Sequence, residues 1–125
     1  MFDHIQIKVA NLQKSRAFYE TTLATLGYTV VLDIKDVVVG IGKDVHNMIE
    51  FRQASESAPL SQFVHVAFVA EDQEAVKHFH AIALENGAKD NGTPGLRDYE
   101  EGYFAAFVID PNGHNLEAVF SQKQT

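Results

Sequence analysis

The sequence predicts an α+β fold made of two copies of one strand–helix–strand–strand unit. Three observations predict it. Residues 2–19 align on residues 63–80 without a gap, with Phe2 on Phe63, His4 on His65, Asn11 on Asp72, Arg16 on Lys77 and Phe18 on Phe79. In each copy the apolar period changes from two to helical spacing, the change that separates a strand from a helix. Each copy then closes with an apolar strand that holds one glutamate, Glu50 or Glu117. The 125 residues, 46% of them hydrophobic, suffice to bury one core, so the chain reads as a single domain. Repeat one covers about residues 1–53, a linker about 54–61 and repeat two about 62–125.

The elements of the first repeat follow in order. Ile5, Ile7 and Val9 alternate with His4, Gln6 and Lys8, so one strand face packs on a core and the other faces away. Asn11 can cap a helix by accepting a backbone N–H. Leu12, Ala17, Phe18, Tyr19, Leu23 and Leu26 then recur near helical spacing, and Gly27 stands where a helix end favours a left-handed residue. Strands are predicted at Thr29–Ile34, Val37–Ile41 and Met48–Arg52. The segment 54–60 is small and polar, contains Pro59, and reads as the linker.

The second repeat runs in parallel. Val64, Val66 and Phe68 alternate with His65, Ala67 and Val69; Asp72 caps; Ala75, Val76, Phe79, Ile82 and Ala83 keep helical spacing; Gly87 ends the helix. A weak strand is predicted near Ala88–Asp90. The stretch from Gly87 to Gly102, with Gly92, Pro94 and Gly95, reads as a long loop turning at Pro94-Gly95, or as a lid over a ligand. Strands Tyr103–Ile109 and Asn115–Phe120 are joined by Asp110-Pro111-Asn112-Gly113, a turn because Pro presets φ and Gly accepts a positive one.

Composition removes several function classes. With no cysteine there is no disulfide, thiolate ligand or thiol nucleophile. A net charge of −7 without a basic cluster argues against nucleic acid. No basic leader and no long apolar run is visible, so no membrane partner and a cytoplasmic location are expected.

The polar residues point to metal chemistry. Each repeat carries a histidine near its start, on the strand face opposite the apolar residues, and a glutamate near its end in apolar company. A carboxylate in such a strand is costly unless it is solvated, paired or on a metal. Two imidazoles and two carboxylates would give a divalent cation (Zn, Ni, Co, Mn or Fe(II)) a neutral shell with open positions. The plainer reading, hydrogen-bonded or solvated strand residues, stands beside it; the repetition in both halves favours the metal. Glu50 depends on strand register, since a slip of one residue turns it to the other face. His46, His78, His80 and His114 read as surface residues. Arg97 can anchor an anionic substrate, and Tyr99 and Tyr103 offer hydroxyls. Tyr103 and Phe107 share a face with Ala105 and are expected to line a cleft, a plain core role for Phe107 being the alternative.

Phe2-Asp3-His4-Ile5 with Phe18-Tyr19, then Val64-His65-Val66-Ala67, then Asp110-Pro111-Asn112-Gly113-His114-Asn115-Leu116-Glu117 together resemble the vicinal oxygen chelate superfamily. That group includes glyoxalase I, bleomycin-resistance proteins, fosfomycin-resistance enzymes and extradiol dioxygenases. The chain is most similar to its short glyoxalase-family members. The resemblance implies two βαβββ repeats forming an open, barrel-like mixed sheet with helices on the outside, and a homodimer. It implies metal ligation by His4, His65 and Glu117, with Glu50 matching the fourth ligand of glyoxalase I, and Glu50 or Glu117 as catalytic base. The implied activity is a metal-dependent, glyoxalase-like lyase or isomerase acting on a small molecule with adjacent oxygens, such as the hemithioacetal of methylglyoxal and glutathione. A metal-free ligand-sequestering protein of the bleomycin-resistance type is the alternative, and a dioxygenase lies further off because those chains are usually longer.

Overall fold

The computed structural model describes residues 1–122. The chain forms two compact units, Met1–Gln62 and Phe63–Thr125. The first contains β1 (His4–Val9), α1 (Leu12–Ala24), β2 (Thr29–Ile34), β3 (Val38–Asp44) and β4 (Asn47–Gln53). The second contains β5 (His65–Val69), α2 (Gln73–Glu85), β6 (Lys89–Leu96), β7 (Tyr103–Ile109) and β8 (Asn115–Ser121). Each is a βαβββ unit with an open four-stranded mixed sheet, in the orders β1-β4-β3-β2 and β5-β8-β7-β6. In each, the first strand pairs in parallel with the last, and the remaining pairs are antiparallel. The predicted α+β repeat is therefore the observed one. Among the described residues no helix is long and apolar enough to cross a membrane.

Both helices start where their caps place them. The Asn11 side chain accepts from the Lys14 amide at 3.0 Å, and Asp72 from the Ala75 amide at 2.8 Å. Caps of this kind contribute about 1 kcal/mol each. Gly27 and Gly87, at φ 87° and 102°, take the left-handed residue after each helix. The helix then covers one face of its own sheet. In the first unit Ile7, Val9, Ile41 and Phe51 are buried together with Phe18, Tyr19 and Leu23 of α1. The Tyr19 ring stacks on Phe51 with centroids 4.0 Å apart. Ala17, placed on the apolar stripe by its spacing, is exposed, and Ser15 and Thr22 are buried instead. In the second unit Val76, Phe79 and Ala83 of α2 are buried, as are Ala106, Val108 and Leu116 of its sheet.

The expected loop between Gly87 and Gly102 is corrected. Most of it is strand β6, paired antiparallel with β7 from Lys89↔Ile109 to Leu96↔Phe104. Glycine and proline made this stretch look like a turn. The register shifts twice along it, between Asp90 and Gly92 and between Gly92 and Gly95, and β6 is the outermost strand of its sheet. A bulged edge strand tolerates a Pro that cannot donate a ladder hydrogen bond. A lid of the predicted length is thus excluded, leaving only the short connection 97–102 outside the strands. The linker is also tied down: the Ser61 amide donates to the Lys8 carbonyl at 3.1 Å and the Lys8 amide to the Ser61 hydroxyl at 3.0 Å.

His80, expected at the surface, is buried on α2 and lies 2.9 Å through Nε2 from Asp90 Oδ1 on β6. The same oxygen accepts from the Gly92 amide at 3.0 Å, so one carboxylate joins the helix to the bulge. The Gly92 amide first, and His80 second, hold the Asp90 carboxyl below its ordinary value. A lowered folded-state value means stability that is present above the unfolded value and is lost as pH falls through the folded one. Asp90→Asn is therefore expected to lower the melting temperature at pH 7, with the two proteins converging as pH falls through the lowered Asp90 value and that carboxyl becomes neutral. Thermal melts of the pair across that range check this; a gap that persists at low pH contradicts it.

Candidate functional site

In the first unit the parallel register sets Gln6 opposite Glu50 and His4 opposite Met48. Phe51 is turned to α1. Its neighbour Glu50 therefore faces the other way, on the same side as His4, Gln6 and Lys8. The register that sequence alone left open for Glu50 is the one that puts it beside His4. Nε2 of His4 lies 4.0 Å from Oε2 of Glu50, and the Gln6 side-chain amide donates to Oε1 at 2.8 Å. Glu50 is buried, whereas the His4 side chain is half-exposed.

His4 is oriented from its other nitrogen. Nδ1 is 2.7 Å from Oδ1 of Asp3, and Oδ2 of Asp3 is 2.8 Å from Nδ1 of the exposed His46. An ionised carboxylate only accepts, so Nδ1 carries a proton and Nε2 is the nitrogen that faces Glu50. The His4 contact first, then that of His46, lowers the Asp3 carboxyl. In return Asp3, and after it Glu50, raises His4. A carboxylate behind an imidazole in this way is the common support of a metal-ligating histidine.

The second unit repeats the pair at the equivalent register, with Ala67 opposite Glu117 and His65 opposite Asn115. Nε2 of His65 is 3.0 Å from Oε1 of Glu117. The Tyr103 hydroxyl donates to Oε2. Burial first, and Glu117 second, push the Tyr103 phenol above its ordinary value, which keeps it a proton donor. The two carboxylates are thus held differently: Glu117 by a histidine and a phenol, Glu50 by an amide with its histidine further off.

Around Glu117 the open sheet face is aromatic. Tyr103, Ala105 and Phe107, which strand parity places on one face, pack together with Val119. The Phe107 ring lies 6.2 Å from His65, and Tyr99 stands edge-on to Tyr103 at 5.0 Å. Arg97, just past β6, folds back on that strand, donating to the Thr93 and Gly95 carbonyls at 2.8 and 2.9 Å, with its guanidinium 5.4 Å from the Phe107 ring centre.

His114, expected at the surface, is fully buried, and its Nδ1 accepts from the Val64 amide at 3.1 Å. Asp110 Oδ1 accepts from the Asn112 and His114 amides at 2.9 and 2.8 Å. The stretch from Asp110 to His114 is therefore a frame that ties the entry of β5 to β8 and so sets the height of His65 against Glu117. Pattern reading missed Asp3 and Gln6. The available signals were that Asp3 adjoins His4 and that Gln6 shares its strand face. Among the described residues no group of three or more His, Asp and Glu side chains is gathered to hold a metal; each unit gathers two donors, one nitrogen and one oxygen. The donor types fit a divalent first-row cation.

Comparison with known proteins agrees with this fold. The model of the glyoxalase/bleomycin resistance protein/dioxygenase superfamily matches residues 1–118. No curated protein matches the chain. Among solved structures, a glyoxalase/bleomycin resistance protein from Albidiferax ferrireducens superposes with a TM-score of 0.81 at 25% identity, covering 95% of this chain and 97% of that one. A glyoxalase/bleomycin resistance protein/dioxygenase family enzyme from Burkholderia phytofirmans gives 0.74 at 16%, covering 95% and 97%. A lactoylglutathione lyase from Agrobacterium tumefaciens gives 0.68 at 16%, covering 95% and 92%.

Removing the Asp3 support should let the His4 titration midpoint fall back toward the ordinary imidazole value in Asp3→Ala, followed by the ring-proton resonances in NMR. A midpoint that does not move contradicts the assigned contact.

Proposed function

The chain belongs to the glyoxalase/bleomycin resistance protein/dioxygenase superfamily, and from that premise we propose that it is a metal-dependent enzyme acting on a small molecule with two adjacent oxygens, a glyoxalase-like lyase or isomerase. The observation that carries this reading is the repeated pair: His4 with Glu50 and His65 with Glu117, at equivalent register positions of two βαβββ units. A structural role alone gives no reason for the same nitrogen–oxygen pair to recur on the open face of both sheets. His4, Glu50, His65 and Glu117 are the residues that would hold the cation. When bound, a divalent cation supplies Lewis-acid polarisation of the adjacent substrate oxygens.

The remaining work belongs to the protein. Asp3 keeps the Nδ1 proton of His4 in place and so presents Nε2 as a donor. The Tyr103 hydroxyl holds one oxygen of Glu117, which commits that carboxylate to a fixed position. Glu50 has the looser partners, an amide on Oε1 and His4 4.0 Å from Oε2. Its Oε2 is the atom assigned to take a proton from substrate carbon, and general-base catalysis of that kind contributes about 10²–10⁴-fold. Tyr103 and Phe107 supply an apolar wall beside Glu117 that limits water. The protein is expected to act as a homodimer.

Elemental analysis of untagged protein, alone and as His4→Ala, tests the proposal. About one divalent metal per chain, lost in the variant, is the expected result, followed by turnover of methylglyoxal with glutathione or of a related dicarbonyl adduct. No metal in either sample after incubation with Ni, Zn, Mn or Fe(II) overturns it and leaves a ligand-sequestering protein of the same fold.

A further inference from the structure

On the open face of the first sheet, one cross-strand row runs Gln6, Glu50, Gly40, Leu32, with one residue from each strand. The equivalent row of the second sheet runs Ala67, Glu117, Phe107, Gly92. Beside its glutamate the second unit therefore places a ring, and the first places no side chain of that row. Gly40 lies within β3, and its backbone is not in the left-handed region that calls for glycine. A glycine inside a strand weakens it and marks a place where another group approaches closely.

The group that approaches is Met48. It stands two residues before Glu50 on β4, on the same face and directly opposite His4. A Cβ built on Gly40 would come 2.6 Å from Met48 Sδ and 3.0 Å from Leu32 Cβ. The thioether thus leans out of its own row and fills the space next to Glu50, with Leu32 at the far end. Diagonal neighbours across a strand pair are within reach of a long side chain. The two fillers differ in kind. Phe107 is a ring wedged in place: a Cβ on Gly92 would meet it at 3.0 Å, and the Arg97 guanidinium lies 5.4 Å from its centre. Met48 is half-buried, unbranched and adaptable, with three rotatable bonds. The second unit shows that the fold does not need a flexible filler beside the glutamate, because a fixed ring serves there.

From this arrangement we infer that Met48 is a specificity-determining residue: its thioether sets the size of the group that the substrate carries beside Glu50. Gly40 is the floor of that slot and Leu32 its end. The inference rests on the proposed function, in which Glu50 Oε2 takes a proton from substrate carbon. The substrate class is a small molecule with two adjacent oxygens and a methyl-sized group next to the reacting carbon. An aromatic ring in that place needs the volume that Cγ, Sδ and Cε of Met48 fill, whereas a methyl group does not.

The test uses acetohydroxamate and benzohydroxamate, chelators with the same adjacent oxygens that differ in a methyl against a phenyl group. Each is titrated calorimetrically into wild type, Met48→Ala, Met48→Leu and Leu32→Ala, both zinc-loaded and chelator-stripped. Metal content and melting temperature are measured on the same samples. Wild type is expected to bind acetohydroxamate at least as tightly as benzohydroxamate. Met48→Ala should turn that ratio by about tenfold or more toward the phenyl probe, the gain from burying several more ring carbons. Leu32→Ala opens the same slot from its other end, should turn the ratio the same way, and serves if Met48→Ala does not fold. Met48→Leu keeps the volume and should keep the wild-type ratio, which a general loss of stability would not do. A wild-type preference for benzohydroxamate, or a ratio unchanged in both alanine variants, overturns the inference. If acetohydroxamate still binds and stripping the metal abolishes that binding, the inference falls alone. A turned ratio in protein that takes up no metal removes the metal reading alone. No binding of either probe, with or without metal, removes both.

Discussion

In each unit the first strand pairs in parallel with the last, and parallel strands cannot be joined by a tight turn. The intervening chain must cross over, and the helix does so on one face of the sheet. That face becomes the core, built on Tyr19 and Phe51 in the first unit and on Phe79 and Leu116 in the second. The other face carries the His4–Glu50 pair in the first unit and the His65–Glu117 pair in the second. Because the pairing is parallel and register-locked, a histidine at the start of one strand and a glutamate two positions further along its neighbour meet at the same place in both units.

Much of this was legible because it depends on local chemistry. Asn11 and Asp72 mark helix starts by side-chain capping, and Gly27 and Gly87 mark their ends by backbone freedom; all four act where expected. Strand parity put His4 and His65 on the face opposite the apolar strand residues and grouped Tyr103 with Phe107. What stayed hidden depends on distant partners. The span of β6 was masked by Gly92, Pro94 and Gly95, which a bulged edge strand accommodates without ending. The burial of His80 and His114 rests on Asp90 and on the Val64 amide, neither adjacent in sequence. No pattern of periodicity could have paired Tyr103 with Glu117 across β7 and β8.

The repeat is symmetric in backbone and asymmetric in chemistry. Glu117 sits among aromatic rings with a phenol donating to it, whereas Glu50 sits in a polar row with Gln6, Lys8 and Arg52. Duplication supplies two equivalent donor pairs, and divergence around them separates a carboxylate held fixed from one with looser partners. The same divergence separates an apolar wall from a cationic one, which is how one fold hosts different chemistries by changing the residues around a site.

The central claim is that the two His–Glu pairs serve one cation. Anomalous diffraction at the absorption edge of the bound metal tests it most directly. The account predicts one peak per site with His4, Glu50, His65 and Glu117 as its protein ligands, drawn from one chain or from two. A peak held by other side chains, or metal-soaked crystals with no peak beside these four, would contradict it.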